Sequence, residues 1–257
     1  ELDLSHIKRP GVVTMGVNNS PCRFKTNLWT YVDRPSKFHS AIWLDPKVMK
    51  FVPDRHFAKM PLQRKVDSEF PHPKFEWIPW GIDDYVFYPR DCPNVHFFKR
   101  NAFFDPDNWL SEASINWGNS KKSAKINKRQ RVLNVMFNAI KLAYALGFRI
   151  VYLLGCDFYM MQDNPYSFNQ SKHQGGCNTN NGTYQQLEEM FGILKPKFDE
   201  AGFYVYNLNS TSALTVFPHC TYEEAISAAI ANVEQDEVLD ASGWYESIED
   251  KIEDEDE

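Results

Sequence analysis

The residues best suited to chemistry follow one apolar run, where a carboxylate and two phenols come in quick succession. Ile150 to Leu154 is continuously apolar, which is typical of a buried parallel strand, and Asp157, Tyr159 and Tyr166 come after it. In an open α/β sheet, ligands bind just beyond the carboxyl ends of the strands. The Asp157 carboxylate would suit a ribose hydroxyl, a metal or an acceptor group, and the phenols would donate to phosphate oxygens. A loop-capping aspartate and aromatic packing are the alternatives.

A histidine in a polar, glycine-rich loop is the candidate general base. His173 lies in the run Ser-Lys-His-Gln-Gly-Gly-Cys-Asn. An imidazole titrates near neutral pH, so it can take a proton from a hydroxyl. The alternative is an exposed histidine without a role, and His219, after Phe217-Pro218, is a weaker second candidate.

A small-residue loop and a basic run precede the long helix that the sequence predicts. Gly118, Asn119 and Ser120 would lead towards a helix N-terminus, where free N–H groups and the helix dipole favour phosphate. The basic run would hold phosphates of a nucleotide or of a polyanionic acceptor such as modified DNA, or it is simply a solvated face. It comprises Lys121, Lys122, Lys125, Lys128, Arg129 and Arg131.

Asparagines end the first predicted strand. Asn18 and Asn19 follow the run from Val12 to Val17 and offer donors and acceptors for a ribose or a base, although Asn-Ser-Pro is also an ordinary turn. Asp83-Asp84 imitates a carboxylate pair but fits a turn equally well. No metal site is therefore assigned, and Mg²⁺ dependence stays open.

The charge distribution favours an anionic ligand. The net charge is -6, but residues 234–257 hold 12 of the 34 acidic residues and one of the 28 basic ones, which leaves the preceding chain at about +5. We interpret residues 234–257 as an acidic, flexible tail. Five cysteines without a Cys-x-x-Cys pair argue against a disulfide framework or a zinc ribbon, so we expect a cytoplasmic protein. We expect no membrane span, because no apolar run approaches the roughly 20 residues that a membrane helix needs.

Periodicity predicts α/β class with a mainly parallel, Rossmann-like sheet flanked by helices. Residues 1–233 would form a single domain, and residues 46–92 a small inserted lid. Strands are expected at residues 12–17, 40–44, 94–98, 150–154 and 203–206, and helices at residues 132–146, 184–200 and 221–233. Gly147 and Gly202 would end the first two helices, and Thr221-Tyr222-Glu223-Glu224 would open the third with a capping box.

Several of these segments resemble one family. The stretch from Leu146 to Tyr159, with its Leu-Gly-Cys-Asp-Phe-Tyr motif, resembles bacterial CMP-sialic-acid-dependent sialyltransferases. It equally resembles a wider Rossmann-like group with motility-associated glycosyltransferases and archaeal 6-hydroxymethylpterin pyrophosphokinase. Further similar segments are Met15-Gly16-Val17-Asn18, Trp117-Gly118-Asn119-Ser120, Tyr166-Ser167-Phe168-Asn169 and Asn207-Leu208-Asn209-Ser210 with Ser212.

The resemblance implies a glycosyltransferase that uses a nucleotide-sugar donor, with a CMP-sugar favoured. It implies that Asn18 contacts the nucleotide and Asp157 the ribose or donor, in a donor site that includes Asn209 and Ser212. Tyr159 and Tyr166 would stabilise the departing phosphate, and His173 would deprotonate an acceptor hydroxyl. The family's Gly-x-Gly-Pro-Ser loop would precede Glu1.

Three functions remain open at this point. The first is sugar transfer to a glycan, a protein or modified DNA. This reaction would require no cofactor, and the sequence is compatible with a homo-oligomer. The second is ATP-dependent pyrophosphoryl transfer to a pterin-like alcohol, which relies on Mg²⁺ and phosphate clamps. The third is a catalytically degenerate relative that only binds nucleotides or serves a structural role.

Overall fold

The computed structural model describes most of the chain up to Val233. The described residues are 4–7, 9–22, 24–33, 35, 38–53, 62–63, 86–101, 104–112, 115–116, 134–161 and 176–233. The strands are β1 (Met15–Val17), β2 (Leu28–Thr30), β3 (Met49–Pro53), β4 (Leu62–Gln63), β5 (Val86–Phe87), β6 (Val95–Phe98), β7 (Arg100–Asn101), β8 (Ile115–Asn116), β9 (Ile150–Leu153) and β10 (Tyr204–Asn207). The helices are α1 (Ser40–Leu44), α2 (Val135–Ala145), α3 (Gly176–Glu200) and α4 (Tyr222–Ile230).

Four parallel strands form the first sheet, in the order β1-β2-β3-β6. Met15 is paired with Leu28, Leu28 with Met49, and Lys50 with Val95. Two short pairs accompany this sheet: β4 with β5, which is antiparallel, and β7 with β8, which is parallel. The mainly parallel α/β fold is thereby confirmed, and its arrangement is Rossmann-like.

The first sheet is covered on both faces, as a parallel sheet requires. On one face, Trp29 packs edge-on against Trp43 of α1, with ring centroids 5.0 Å apart, and Val52 joins the same buried cluster. On the other face, Leu28 and Phe51 form a cluster with Leu142 of α2. Alternation along β2 therefore sends Trp29 to one layer and Leu28 to the other.

Helix α2 has clear start and stop signals. The side chain of Asn134 accepts a hydrogen bond from the backbone N–H of Met136, which caps the start. Gly147 adopts φ 97°, and the N–H of Phe148 donates to the carbonyl of Ala143, which closes a Schellman motif. The predicted helix and its glycine stop are confirmed, because an 11-residue amphipathic segment with both caps has few competing conformations.

Helix α2 begins beside the end of β2. Its Asn138, in the first turn, bonds Thr30 at the carboxyl end of β2, and Leu142, one turn later, packs in one cluster with Leu28 and Phe51. Phe148, just after the helix, packs against the same cluster as Leu142. The N-terminus of α2 therefore lies at the carboxyl edge of the first sheet, which is where such sheets bind ligands.

The second sheet pairs β9 with β10 in parallel, with Ile150 opposite Tyr204. Its inner face, with Leu153 and Val205, joins a core with Phe191 and Phe198 of α3. The prediction that the strand would be covered on both faces is not met in the described part of the chain, because the Ile150 side chain is 49% exposed.

Other boundaries differ from the sequence-based expectations. Ser40–Leu44 is a short helix rather than a strand, since the Nδ1 atom of His39 caps it by accepting from the N–H of Ala41 at 3.1 Å. Met49–Pro53, within the range assigned to a lid, is instead a strand of the main sheet. The rest of that range lies outside the described residues, apart from 46–48, 62–63 and 86–92.

The C-terminal elements agree more closely with the sequence. Helix α3 begins at Gly176, eight residues before the expected start, and ends before Gly202 at φ 62°. The capping box of α4 forms in full, with Glu224 N–H donating to Thr221 Oγ1 and Thr221 N–H donating to Glu224 Oε2. None of the described helices is long and apolar enough to cross a membrane.

Candidate functional site

The loop after β9 has an unusual backbone that displays Asp157. Gly155 adopts φ 69° and Phe158 adopts φ 59°, a conformation that a bulky side chain rarely takes. Phe158 is held there because its ring stacks on Tyr184 of α3, with centroids 5.1 Å apart. Strained residues of this kind concentrate at binding sites. Between them, Asp157 is exposed at the carboxyl end of β9.

Three of the predicted donor-binding residues meet in this loop. The Nδ2 atom of Asn209 donates to Oδ1 of Asp157 at 2.6 Å, although the two residues are 52 positions apart. Ser212 Oγ donates to the backbone carbonyl of Cys156, and the N–H of Ala213 donates to the carbonyl of Asp157 at 2.8 Å. The loops that follow β9 and β10 are therefore joined by side-chain and backbone bonds.

Asn209 is itself fixed in place. Its Oδ1 accepts from both the N–H and the hydroxyl of Thr211, at 2.9 and 2.8 Å, and its N–H donates to Oδ1 of Asn207. Asp157 is thus oriented through one carboxylate oxygen by a pre-positioned amide. Among the described residues, no hydrogen bond reaches its other oxygen, Oδ2, so that oxygen is available to a ligand hydroxyl.

Tyr159 follows Asp157 by two residues and is 45% exposed. The neighbouring Met160 is buried and anchored to α3. Asn181 accepts from the N–H of Met160 at 2.8 Å and donates to its carbonyl at 3.1 Å. The sequence did not predict this anchor, because nothing in the spacing of Asn181 and Met160 indicates that they meet.

The neighbouring thiol is not a nucleophile at neutral pH. Burial, with a smaller contribution from the Asp157 charge, raises the pKa of Cys156 to about 12. Since the thiolate is the reactive form of cysteine, Cys156 stays protonated and inert. Chemistry in this loop therefore rests on oxygen and nitrogen groups.

The carboxyl edge of the first sheet holds Asn18 and Asn19. Asn18 adopts φ 53°, its N–H donates to the Thr30 carbonyl at 3.2 Å, and its own carbonyl accepts from Trp29 Nε1 at 2.6 Å. The side-chain oxygen of Asn19 accepts from the N–H of His39 at 3.4 Å, which holds the start of α1. Hydrogen bonds therefore hold both asparagines at this edge.

The other predicted site residues have different outcomes. His219 is exposed and forms a parallel bridge with Asn207, close to the Asp157 loop. Outside the described residues lie Tyr166, His173, Asp83, Asp84, Gly118, Asn119, Ser120, Lys121, Lys122, Lys125, Lys128, Arg129, Arg131 and residues 234–257. Within the described part of the chain, no group of three or more His, Cys, Asp or Glu side chains could hold a metal ion.

Comparison with known proteins gives no match to a family model, to a curated protein or to a solved structure.

Proposed function

We propose that the protein is a transferase that binds a nucleotide-sugar at the carboxyl edge of its sheets and moves the sugar to a hydroxyl acceptor. The observation that carries this proposal is the Asp157–Asn209 pair. It presents one carboxylate oxygen on a fixed loop, beside an exposed phenol at Tyr159. A carboxylate that accepts from hydroxyls is the group that commonly binds ribose in such folds.

We propose that the two sheets serve one ligand. The first turn of α2 lies at the carboxyl edge of the first sheet, because Asn138 bonds Thr30. A helix between two strands of an α/β fold usually connects strands that run in the same direction. We therefore infer that Asn18, at the end of β1, and Asp157, beyond β9, lie on the same side of the fold.

The reaction proposed is a direct displacement. His173 takes the proton of the acceptor hydroxyl while that oxygen forms a bond to the sugar carbon. The bond between this carbon and the donor phosphate oxygen breaks, and the electron pair leaves with the phosphate. Tyr159 and Tyr166 donate hydrogen bonds to the charge that develops there. CMP-sugars are the favoured donors because of the family resemblance around Asp157.

A thermal-shift screen with CMP, UDP, GDP and ADP derivatives tests the proposal, since a ligand that binds only the folded chain raises its melting temperature. At a ligand concentration 100 times Kd, the stabilisation is about 2.7 kcal/mol. One class of nucleotide is expected to stabilise the protein clearly more than the others. Equal, negligible shifts with all four classes would contradict nucleotide binding.

A variant separates the transfer step from binding. His173→Ala is expected to retain donor binding and lose sugar transfer, because the acceptor hydroxyl then lacks its base. His219→Ala tests the second candidate base, since it removes an exposed histidine from the end of the second sheet. Unchanged turnover in His173→Ala, together with lost turnover in His219→Ala, would move the role of base to His219.

A further inference from the structure

Two buried side-chain oxygens lie unpaired at the carboxyl edge of the first sheet. They are Oδ1 of Asn18 and Oδ1 of Asn138, and neither has a hydrogen-bond partner in the described structure. More than nine in ten buried polar groups in proteins are paired, because an unpaired one is costly. Two such acceptors on residues that share Thr30 as a partner indicate that a bound molecule supplies the missing donors.

Asn18 and Asn138 are linked through Thr30, which bonds both residues. The backbone carbonyl of Thr30 accepts from the N–H of Asn18 at 3.2 Å, and its Oγ1 accepts from Nδ2 of Asn138 at 3.0 Å. Thr30 is fully buried, and Asn138 is 1% exposed. Asn18 is half-buried as a residue, but its side-chain oxygen is shielded from water like that of Asn138.

The hydrogen-bond network determines which atom of the Asn138 side-chain amide has no partner. The hydroxyl of Thr30 donates to the carbonyl of Phe51 at 3.1 Å, so its proton is already used. Asn138 must consequently present its NH₂ group to Thr30, and its oxygen remains as the unused acceptor. On the Asn18 side, the bond from Trp29 Nε1 and the φ of 53° hold the backbone in place.

We propose that Asn138 and Asn18 form the nucleoside-binding end of the donor site, where their oxygens accept hydrogen bonds from an N–H or O–H of the bound nucleoside. This inference rests on the proposed function and extends it to Asn138, a residue that lies in none of the motifs found in the sequence. Phosphate groups offer acceptors at neutral pH, so two acceptor oxygens would repel them. The phosphate and sugar of the donor are thereby directed towards Asp157 and Tyr159.

A nucleoside carries two kinds of hydrogen-bond donor that could reach these oxygens, namely an exocyclic amine of the base and a ribose hydroxyl. Because both oxygens are shielded from water, a ligand reaches them only after neighbouring side chains move. The fold carries the cost of two unpaired acceptors, which binding of a donor group relieves. An apolar side chain of the same size at position 138 removes that cost together with the binding group.

The first experiment measures the affinity of the full chain for cytidine, uridine, adenosine and guanosine nucleotides and for their 2′-deoxy forms by calorimetry. Asn138→Leu is expected to weaken binding about tenfold or more, the equivalent of one lost hydrogen bond, without a lower melting temperature. Asn108→Leu, which changes an exposed asparagine of the loop at residues 104–112, is the matched control. Loss of the preference for ribose over deoxyribose would identify the hydroxyl, and loss of the preference for an amino-bearing base would identify the amine.

A second variant keeps the test decisive if Asn138→Leu does not fold. Asn18→Gly deletes the other oxygen and suits the positive φ of that position, so it should fold and lose affinity as well. If the unaltered chain binds no nucleotide, the proposed function fails and this site fails with it. If the unaltered chain binds and both variants bind equally well, or lose affinity equally for every analogue, the nucleoside site is overturned while the proposed function stands.

Discussion

The amide of Asn209 donates to the carboxylate of Asp157 at 2.6 Å and so joins the loops that follow β9 and β10. A hydrogen bond to an ionised carboxylate is roughly twice as strong as a neutral one. The side-chain oxygen of Asn209 accepts hydrogen bonds from Thr211, so Asn209 cannot rotate away from Asp157 without breaking those bonds as well. The pair therefore holds Asp157 in one orientation before any ligand arrives.

Asn209→Ala should release Asp157 and weaken nucleotide binding about tenfold, because the carboxylate then has to be ordered during binding. The loss should appear in the dissociation constant measured by calorimetry. Asn94→Ala, at an exposed asparagine with positive φ before β6, is the control and should leave the affinity unchanged. Equal affinities for the Asn209 variant and the unaltered chain would show that the pair does not prepare the site.

Glu188 should matter far more for stability than its neighbour Glu189. Its Oε1 accepts from the N–H and hydroxyl of Thr215 and from the N–H of Val216, which ties α3 to the segment after β10. Glu188→Ala removes three hydrogen bonds to a carboxylate and should lower the free energy of unfolding by about 1–3 kcal/mol. Glu189→Ala, at an exposed position of the same helix, should change it by less than about 0.5 kcal/mol in urea denaturation.

Lys141 should make stability depend on pH in alkaline solution. Burial lowers the pKa of this lysine from 10.5 to about 8, even though its Nζ donates to the carbonyl of Trp109. Between pH 8 and 10.5 the unfolded chain binds more protons at this group than the folded chain. The loss of folding stability that the buried charge of Lys141 causes therefore becomes smaller as pH rises. Relative to Lys141→Met, the unaltered chain should gain on the order of 1–3 kcal/mol from pH 7.5 to 10.

Chemical denaturation of both proteins at each pH isolates this lysine, because titration of cysteines and tyrosines is common to the two. Lys47→Met, which removes an exposed lysine, serves as the control. A constant difference between the unaltered chain and Lys141→Met across the range would contradict the effect of burial.

Gly16 and Gly192 should respond to alanine in opposite directions. A Cβ at Gly16 would lie 2.7 Å from Thr26 Oγ1 and 2.9 Å from Pro21 Cγ, so Gly16→Ala should cost about 1–3 kcal/mol. Gly192 lies in α3, and a Cβ there meets nothing within 4 Å. Gly192→Ala should stabilise by about 0.5–1 kcal/mol, measured as the change in unfolding free energy, because alanine favours the helix.

The elements that the sequence predicted well carry their own signals. Helix α2 has an apolar face, an asparagine at its start and Gly147 at its end, so local preferences and packing agree. Ser40–Leu44 has only five residues, and an apolar run of that length fits a strand or a helix. Its form is decided by the cap from His39 and by the neighbouring strands, which already complete the sheet.

Only part of the site could be predicted from the sequence. Asp157 follows a recognisable strand, so its position could be predicted from the rule on strand ends. The bond from Asn209 spans 52 residues, and no spacing in the sequence sets it. Asn138 is harder still to find, since a buried polar residue on an apolar helix is recognised only when its neighbour Thr30 is known.

The most direct test of the account is the affinity of Asp157→Asn for the nucleotide that the thermal-shift screen selects. Asparagine keeps the shape of the side chain and removes its charge, so hydroxyls of the ligand lose a strong acceptor. Calorimetry should show binding weakened about tenfold or more, with a melting temperature within a few degrees of the unaltered chain. Asp199→Asn, which breaks a surface ion pair with Lys195 on α3, should bind normally. Unchanged affinity in Asp157→Asn would contradict the donor site proposed here.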